Sequence, residues 1–530
     1  MMMRLRSLED IRVGARLLAG LPRFLRNPFS LSEARQTLDK RLANRNDRFL
    51  ALVDRVIYRQ PASVYRQLLS VAGCELADLR DLVARNGVEE TLRTLYRGGV
   101  YLTSDEFKAR KPLVRGGKTI EVTPESIRNP ASTVHGISQT SGSRGARTMV
   151  PIDLAFIHDH AINTHLTLAA HEGSDWAHAH WGVPGGTALT NLLEFARGGN
   201  PPAKWFTPIS VNEPSLHPRY RWGARAMRIG SVLAGVPLPR AELAPLTDPL
   251  PIVRWMSRLL REGRVPHVWS YASSAVRVCQ AAESSGIDLR GARFTCGGEP
   301  TTSARRAAIE RVGAVCLPRM GTTETDILSF ACRAPTQPDD MHLLHDRHAI
   351  IQADGNDGSS MPRGALLVTS LLASAPVMML NVCQGDSAVL EVRDCGCPLQ
   401  ALGWPTHIHK VRSYEKLTAG GMTFLDTDVI RVLEEVLPAR FGGSPMDYQL
   451  LEEEGDSSAP RVHLLVNSTL GPLNEAAVAD VFLEAIGGGD GGERLMEMQW
   501  RRAGVLRIQR GTPRTTASGK ILHLHLERPA

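Results

Sequence analysis

Polar, glycine-containing segments follow apolar runs at several widely separated points of the chain. The first, Gln139–Thr148, reads QTSGSRGART and comes directly after a strand-like run, Val134–Ile137. Its glycines let the backbone turn tightly and aim N–H groups inward, while its hydroxyls and Arg144 add donors and positive charge. Such a loop suits a polyphosphate. Because no Gly-Lys-Ser/Thr ends it, it is not a Walker A loop, and taken alone it is also compatible with a surface turn.

Three further segments follow predicted strands, where α/β sheets bind ligands. Cys296–Pro300 (CGGEP) has two glycines that would let a flat ligand lie against the backbone. Met320–Thr325 (MGTTET) places Glu324 among hydroxyls, a donor set that suits Mg²⁺ together with phosphate oxygens. Cys383–Asp386 (CQGD) ends in an aspartate that could accept hydrogen bonds from two ribose hydroxyls. Each segment taken alone could equally be an ordinary turn.

The last segment, Pro513–Lys520, reads PRTTASGK and lies near the C-terminus. Its lysine stands on a loop of small residues, from which an amine could reach an active site formed by a different part of the chain. By itself, a lysine in a C-terminal tail is usually solvent-exposed.

The elements that would position these segments follow from hydrophobic periodicity. Residues 1–110 have the three- and four-residue spacing of helices, and from about residue 130 strand-like runs alternate with helical ones, which is typical of parallel α/β layers. After residues 405–412 the pattern becomes that of a small α+β domain. Its predicted elements are a helix Asp426–Leu437, a strand pair Asp447–Glu454 and Arg461–Val466, a helix Asn474–Ile486 and a final strand Val505–Gln509. The predicted fold class is therefore α/β, with a large layered N-terminal domain and a small C-terminal α+β domain.

Composition excludes several classes of protein. The chain has 530 residues, of which 43% are hydrophobic and 22% charged, so it is neither disordered, nor collagen-like, nor a small disulfide scaffold. The net charge of +7 favours anionic small ligands, but no basic run is interleaved with aromatics, so we predict no nucleic-acid partner. Asp10 and Arg12 interrupt the N-terminus before an apolar core of signal-peptide length forms. The uncharged stretch Ala365–Gln384 contains Pro376 and fits two buried strands better than a membrane helix. We expect a soluble, cytoplasmic protein with no membrane partner.

The order of these segments resembles that of the adenylate-forming superfamily, which includes acyl-CoA synthetases, luciferases and the adenylation domains of peptide synthetases. Within it, the chain looks most like phenylacetate–CoA ligase-like proteins, from about residue 95 to the end. The resemblance implies a helical region at 1–110 packed on the main domain, an AMP-binding α/β domain at 111–411 and a mobile C-terminal domain at 412–530. It also implies ATP-dependent activation of a carboxylic acid to an acyl-adenylate with release of pyrophosphate, followed by thioester formation with coenzyme A.

The resemblance assigns roles to individual residues. Glu324 is implied to hold Mg²⁺, Arg412 to open the C-terminal domain and Lys520 to bridge the carboxylate and the α-phosphate. Gly421 stands where a glycine lines the tunnel for the thiol of coenzyme A. The residues implied to bind ATP are Thr140, Ser141, Gly142, Ser143, Arg144, Gly145, Gly298, Glu299, Pro300, Gly321, Thr322, Thr323 and Asp386.

The chain departs from the pattern of the family at three places. Arg147-Thr148 replaces the Pro-Lys ending of the first loop, Ser413–Lys416 lacks the usual acidic residues after Arg412, and Met379–Gln384 lacks an Arg-Tyr pair. The alternatives left open are transfer of the acyl group to a carrier-protein thiol or an amine, and a degenerate nucleotide-binding protein without turnover. The expected partners are a small-molecule carboxylic acid, an acyl or peptidyl carrier protein and a second copy of the chain in a homodimer.

A metal site is the remaining prediction. Three thiolates and one imidazole, from Cys332, His342, Cys395 and Cys397, can close a tetrahedral Zn²⁺ site with no position left for water, so the site would be structural. Some phenylacetate–CoA ligase-like proteins have zinc ligands at these places. The other cysteines are isolated in apolar runs and read as buried free thiols. A group of histidines close in sequence lacks the pattern of a metalloprotease, and we expect structural or substrate-lining roles for His158, His160, His165, His171, His178 and His180.

Overall fold

The computed structural model describes residues 2–139, 149–213, 218–355, 361–413, 418–419, 422–423, 426–453, 461–487, 497–498, 500–501, 506–516 and 519–527. The chain begins with helices, continues as a large sheet flanked by helices, and ends as a small sheet with helices of its own. This architecture confirms the predicted α/β class with a smaller α+β C-terminal part.

Helices precede the first strand, as the periodicity predicted. They are α1 (Met2–Arg26), α2 (Leu31–Ala43), α3 (Arg45–Val53), α4 (Val64–Val71), α5 (Leu76–Arg97) and α6 (Ser104–Phe107), with a π-helical turn at Asp54–Tyr58. A capping box begins α2, because the Glu33 N–H donates to the Ser30 hydroxyl (3.2 Å) while the Ser30 N–H donates to the Glu33 carboxylate (2.7 Å). The apolar faces of α3 to α5 bury Phe49, Tyr65 and Leu92 against strands of the main sheet.

Two short β-ribbons follow this helical region, and further helices lie before and between the strands of the main sheet. The ribbons are β1 (Leu113–Arg115) with β2 (Lys118–Ile120), and β3 (Gly136–Gln139) with β4 (Met149–Ile152). The helices that follow are α7 (Leu154–Ala170), α8 (Gly186–Arg197), α9 (Pro218–Leu233), α10 (Leu250–Arg261), α11 (Ala272–Ser284), α12 (Ser303–Glu310) and α13 (Pro398–Ala401).

The main sheet contains twelve strands among the described residues. They are β5 (Ala177–Trp181), β6 (Lys204–Thr207), β7 (Ala241–Leu243), β8 (Pro266–Tyr271), β9 (Arg293–Gly297), β10 (Val315–Thr322), β11 (Asp326–Ala331), β12 (Met341–Leu343), β13 (His348–Gln352), β14 (Ala365–Ser370), β15 (Val382–Val392) and β16 (Thr406–Ser413). Their order across the sheet is β13-β14-β15-β16-β12-β11-β10-β9-β8-β5-β6-β7.

Strand β10 lies between a parallel half and an antiparallel half of this sheet. It pairs in parallel with β9 on one side and antiparallel with β11 on the other, and the same directions continue outward on each side. The sequence predicted the parallel half but not the antiparallel one. The carboxyl ends of β9 and β10 therefore open onto a region that β15 and β16 approach from the antiparallel half.

The elements of the C-terminal part are a ribbon β17 (Thr418–Ala419) with β18 (Met422–Thr423), α14 (Asp426–Arg431), a π-helical turn Val432–Val436, α15 (Leu437–Phe441), β19 (Tyr448–Glu453), β20 (Arg461–Val466), α16 (Glu475–Ile486), β21 (Leu506–Arg510) and β22 (Leu524–Glu527). Among the described residues the last four strands form a separate sheet in the order β21-β20-β19-β22. The prediction that Val505–Gln509 is the final strand is wrong, because Leu524 begins another strand that pairs in parallel with β19.

Two apolar residues of the C-terminal part belong to the core of the main domain. Leu433, Leu464 and Phe482 form a cluster of their own sheet and helices. Met446 and Ile521 instead pack with the buried residues of β8, β9 and α11. The two parts are thus in direct apolar contact. Within the described parts of the chain, no helix is both long and apolar enough to cross a bilayer.

Candidate active site

Lys520 reaches across from the C-terminal part to the end of β9. A Cβ on Gly298, built at φ +73°, would lie 3.0 Å from Lys520 Nζ, and Nζ is 5.0 Å from the centroid of the Tyr271 ring. Only a glycine leaves room for the amine with this left-handed backbone. The lysine loop is closed locally, since the Lys520 N–H donates to Thr516 Oγ1 (3.1 Å). The predicted glycine segment and the predicted lysine therefore meet.

Acidic groups surround this amine at longer range. Burial lowers the pKa of Lys520, and the neighbouring charge of Arg319 lowers it further, whereas the charges of Glu299 and Asp386 oppose the shift. Asp386 lies on β15 and pairs with Ser413 of β16. Residues of three separate predicted segments, together with Arg319, thus act on one another electrostatically around a single point.

Glu299 joins the body of the chain to its tail. Its carboxylate accepts hydrogen bonds from the Ser273 N–H (2.7 Å) and hydroxyl (2.9 Å), and from the Ile521 N–H (2.8 Å). Ser273 lies in the first turn of α11, where a helix favours a negative charge. The Glu299 carboxylate is therefore committed to these donors, and it links α11 to the tail of the chain.

The Gly321–Thr325 turn lies at the carboxyl end of β10. A Cβ on Gly321 would overlap the carbonyl oxygen of Asp326 at 1.6 Å, so only glycine permits this turn into β11. Thr322 Oγ1 donates to Gln384 Oε1 (3.2 Å), and Gln384 Nε2 lies 3.5 Å from Glu324 Oε2. Gln384, which the sequence did not single out, ties the Glu324 turn to the strand that carries Asp386.

Arg412 lies at the end of β16, beside an acidic anchor. The N–H groups of Lys410 and Val411 donate to the two carboxylate oxygens of Asp339, each at 2.9 Å, and Arg412 Nη1 is 3.4 Å from Asp339 Oδ2. Lys410 has a φ of +52°, an uncommon conformation for a non-glycine residue that these bonds hold in place. Asp339 therefore fixes the strand up to the point where the C-terminal part begins.

A buried ionic network also joins the two parts. Arg305 Nε lies 2.8 Å from Glu434 Oε1, the Thr302 hydroxyl donates to Glu434 Oε2, and His523 Nε2 is 2.6 Å from Glu434 Oε1. Burial alone would raise the pKa of Glu434, but the charge of Arg305 and the bonds from His523 and Thr302 outweigh it and lower the pKa. The carboxylate stays ionised because Arg305, from α12, faces it.

Seven of the predicted positions lie outside the described residues. Those are Gly421 and the loop residues Thr140, Ser141, Gly142, Ser143, Arg144 and Gly145. Gln139, the last described residue before that loop, ends β3.

Comparison with known proteins places this geometry in a known fold. No protein-family model and no curated protein matches the sequence, whereas solved structures match along nearly its whole length. A crystal structure of 2-hydroxyisobutyryl-CoA ligase in the postadenylation state with R3-HIB-AMP matches with a TM-score of 0.52 at 15% identity, covering 96% of this chain and 92% of that one. The same ligase with 2-HIB-AMP matches with a TM-score of 0.51 at 15% identity, covering 95% and 91%. The chain has the fold of the adenylate-forming ligases.

A third solved structure, an anthranilate CoA ligase with anthranoyl-AMP, matches with a TM-score of 0.44 at 12% identity, covering 86% of this chain and 89% of that one. The two ligase structures with TM-scores above 0.5 confirm the predicted resemblance to the adenylate-forming superfamily for the fold. The narrower resemblance to phenylacetate–CoA ligase-like proteins stays a prediction.

This adenylate-forming fold also gathers the predicted zinc ligands. His342 Nε2 lies 3.1 Å from Cys397 Sγ and 3.6 Å from Cys395 Sγ, and ligand atoms of Cys332, His342, Cys395 and His407 all lie within 4.8 Å of one another. His342 Nδ1 is 2.6 Å from the Trp404 carbonyl oxygen and so donates to it, which leaves Nε2 free to bind a metal. Four donors of these types fit a tetrahedral Zn²⁺, and the group within 4.8 Å contains His407 where the sequence predicted Cys397. His407, whose Nε2 is buried without a hydrogen bond within the described structure, is a further donor that the sequence did not reveal.

The histidines that lie close in sequence are mostly buried and contact other protein groups. His178 Nδ1 is 2.8 Å from His267 Nδ1, and His267 Nε2 is 2.8 Å from the Thr295 hydroxyl. His160 contacts Arg347 and Asp326. In this adenylate-forming fold the first pair lies on strands β5 and β8, and His160 lies on α7, which agrees with the structural roles predicted for the histidines.

Proposed function

We propose that the protein is an AMP-forming acid–CoA ligase, which converts a carboxylic acid and ATP to an acyl-adenylate and pyrophosphate and then forms a thioester with coenzyme A. The single observation that carries this proposal is the position of Lys520. A lysine near the C-terminus lies against Gly298 and Tyr271 of the main domain, within electrostatic range of Asp386.

The chemistry of the first step requires positive charge at that position. A carboxylate must approach the α-phosphorus of ATP although both are negatively charged, so the transition state is stabilised by donors and cations placed in advance. In the proposal the Lys520 ammonium contacts the carboxylate and the α-phosphate, and Asp386 accepts hydrogen bonds from the ribose hydroxyls. Glu324 would hold Mg²⁺, which neutralises phosphate charge when bound. The loop 140–145 would cover the phosphates with Thr323, and Gly298, Glu299 and Pro300 would line the adenine.

The proposal also includes a rotation of the C-terminal domain relative to the main domain. We propose a boundary near Arg412, beyond which the C-terminal domain rotates after adenylation, withdraws Lys520 and presents Gly421 to coenzyme A. The apolar contact of Met446 and Ile521 and the buried Glu434–Arg305 pair support a docked state suited to adenylation. A structural zinc held by Cys332, His342, Cys395 and Cys397 is proposed because three thiols and an oriented imidazole converge there.

A screen of carboxylic acids tests the function. Purified protein is given ATP, Mg²⁺ and each acid, with and without coenzyme A, while pyrophosphate and AMP are measured. We expect acid-dependent pyrophosphate release, and AMP formation that coenzyme A accelerates at micromolar concentration. Pyrophosphate release that coenzyme A leaves unchanged would favour a carrier-protein thiol or an amine as acceptor. No release with any acid would support a degenerate nucleotide-binding protein.

A further inference from the structure

Arg319 is a buried arginine beside the proposed reaction centre. It follows Pro318, which pairs with Cys296 on β9, and Gly297, which follows Cys296, pairs with Tyr271 on β8. Tyr271, Gly297 and Arg319 therefore form one row across three neighbouring strands. Strands lie about 4.8 Å apart, so the Cα atoms at the two ends of this row are roughly 10 Å apart. Lys520 Nζ lies over the ring at one end of the row.

Gly297 allows the arginine to lie flat between its neighbours. A Cβ on Gly297 would come within 2.8 Å of Arg319 Nε, so any other residue would displace the side chain. The guanidinium stacks on Trp269, with its central carbon 4.2 Å from the ring centroid. The side chain is thus held in one orientation.

The N–H groups of the Arg319 guanidinium lack hydrogen-bond acceptors within the described structure. Among the described residues Arg319 makes no hydrogen bond, its closest carboxylate oxygen is Asp326 Oδ1 at 3.7 Å from Nη1, and its side chain is only 15% exposed. A guanidinium carries five N–H donors, and leaving a buried one unsatisfied is costly. Such a group is expected where a ligand supplies the missing acceptors.

Two acidic side chains lie near Arg319, and neither makes a hydrogen bond to it within the described structure. Arg347 is a second buried guanidinium in this cluster, and its Nε and Nη1 have no partner within the described structure. Asp326 contacts His160, which accepts a hydrogen bond from Arg347, and burial keeps His160 neutral by lowering its pKa. Burial raises the pKa of Glu194 to about 7, so this carboxyl is partly protonated at neutral pH. Arg319 thus faces Asp326 and a partly protonated Glu194, whereas Arg347 is also faced by the charges of Asp346 and Asp159.

We propose that Arg319 binds a second carboxylate of the acid substrate, and that the protein activates a dicarboxylic acid in preference to a plain alkyl or aryl acid. This inference rests on the proposed function. One carboxylate lies at Lys520 for adenylation, and the other pairs with the Arg319 guanidinium, which lies over Gly297 and stacks on Trp269. The planar fork of arginine matches a carboxylate in a bidentate pair, which accounts for the choice of a carboxylate over a single hydroxyl.

Acids of equal carbon number test the inference. Acid-dependent ATP–pyrophosphate exchange is measured for linear dicarboxylic, monocarboxylic and ω-hydroxy acids of four to eight carbons, with the wild-type protein, Arg319→Met and Arg319→Lys. We expect the kcat/KM of the wild type for one diacid to exceed that for its matched monoacid on the order of 10- to 100-fold, mainly because the KM for the diacid is lower. In Arg319→Met the preference disappears, while the KM of ATP is unchanged. Arg319→Lys, which keeps the charge but not the fork, retains part of it.

Arg306→Met is the matched control, because Arg306 is an arginine of α12 paired with Glu310 (2.7 Å). It should leave the preference intact. A wild-type preference for the monoacid or the hydroxy acid, or a diacid preference that survives Arg319→Met, would overturn the inference and leave the ligase function standing. Absence of exchange with every acid would overturn both.

Discussion

The Glu434–Arg305 pair allows the docked state to be perturbed without touching the reacting groups. Glu434 lies in the C-terminal part, whereas Arg305 and Thr302 lie in the main domain, and both side chains of the ion pair are only 1% exposed. Glu434→Gln keeps the shape and one acceptor but removes the charge. We expect adenylation to fall, because the docked arrangement brings Lys520 to Gly298.

The size of the effect follows from the contacts. A hydrogen bond to a charged group contributes roughly 1.5–3 kcal/mol and a neutral one about 0.5–1.5 kcal/mol, so Glu434→Gln should weaken docking by about 1–2 kcal/mol. Breaking a buried pair can cost more, but in the proposed cycle the C-terminal part undocks and returns Arg305 to water, which limits the loss. At 1.4 kcal/mol per tenfold, kcat/KM for ATP–pyrophosphate exchange should fall about 5- to 30-fold.

Glu435→Gln is the matched control, since Glu435 is the exposed neighbour of Glu434 in the same turn. It should leave exchange within about twofold of the wild type, because exposed carboxylates contribute little. Arg305→Met removes the pair from the other side, and the double variant should lose less than the sum of the two single losses. Equal exchange rates in Glu434→Gln and Glu435→Gln, with both proteins folded by circular dichroism, would refute the docking role.

The remaining predictions concern the reaction centre and the metal. Lys520→Ala should lose adenylation on the order of 100-fold yet keep transfer from a supplied acyl-adenylate within a few-fold, and equal loss of both steps would contradict the role of the amine. Because the pKa of Lys520 is lowered, its charged form is lost as pH rises through a value below that of an ordinary lysine, so wild-type exchange should decline on the alkaline side while the residual rate of Lys520→Ala does not. Asp386→Asn should raise the KM of ATP about tenfold with the KM of the acid unchanged, and a change confined to the acid would argue against ribose contact. Elemental analysis should find about one zinc per chain and none in Cys395→Ser, and metal-free protein with Cys395 and Cys397 freely alkylated would exclude the site.

The segments that sequence could reveal are those whose chemistry is local. Gly298, Glu324, Asp386 and Lys520 each lie in a short run of glycines and polar residues, and the order of these runs along the chain indicates a site. The structure adds that Gly298 and Lys520 meet and that Glu299 accepts a hydrogen bond from the Ile521 N–H.

What sequence could not reveal depends on strand pairing. His407 joins the cysteine cluster because it pairs with His342 between β12 and β16, and nothing in their spacing predicts that register. The buried charges near the proposed reaction centre come from separate elements, namely Arg319 from β10, Glu194 from α8 and Asp326 from β11. They come together only when α7 and α8 pack against the sheet. Strand β22 was missed because its few residues at the end of the chain give too short an alternation to recognise.

The loop between Cys332 and His342 links the cysteine cluster to the start of the C-terminal part. This loop carries Asp339, which holds the backbone of Lys410 and Val411, and Asp340, which lies 2.7 Å from His407 Nδ1. A metal bound at one end of the loop would fix the Asp339 carboxylate, which accepts hydrogen bonds from the backbone just before the proposed domain boundary. Zinc depletion should therefore impair the proposed change from adenylation to thioester formation before it unfolds the protein. The metal would then affect the rate of the cycle although it contacts no reacting group.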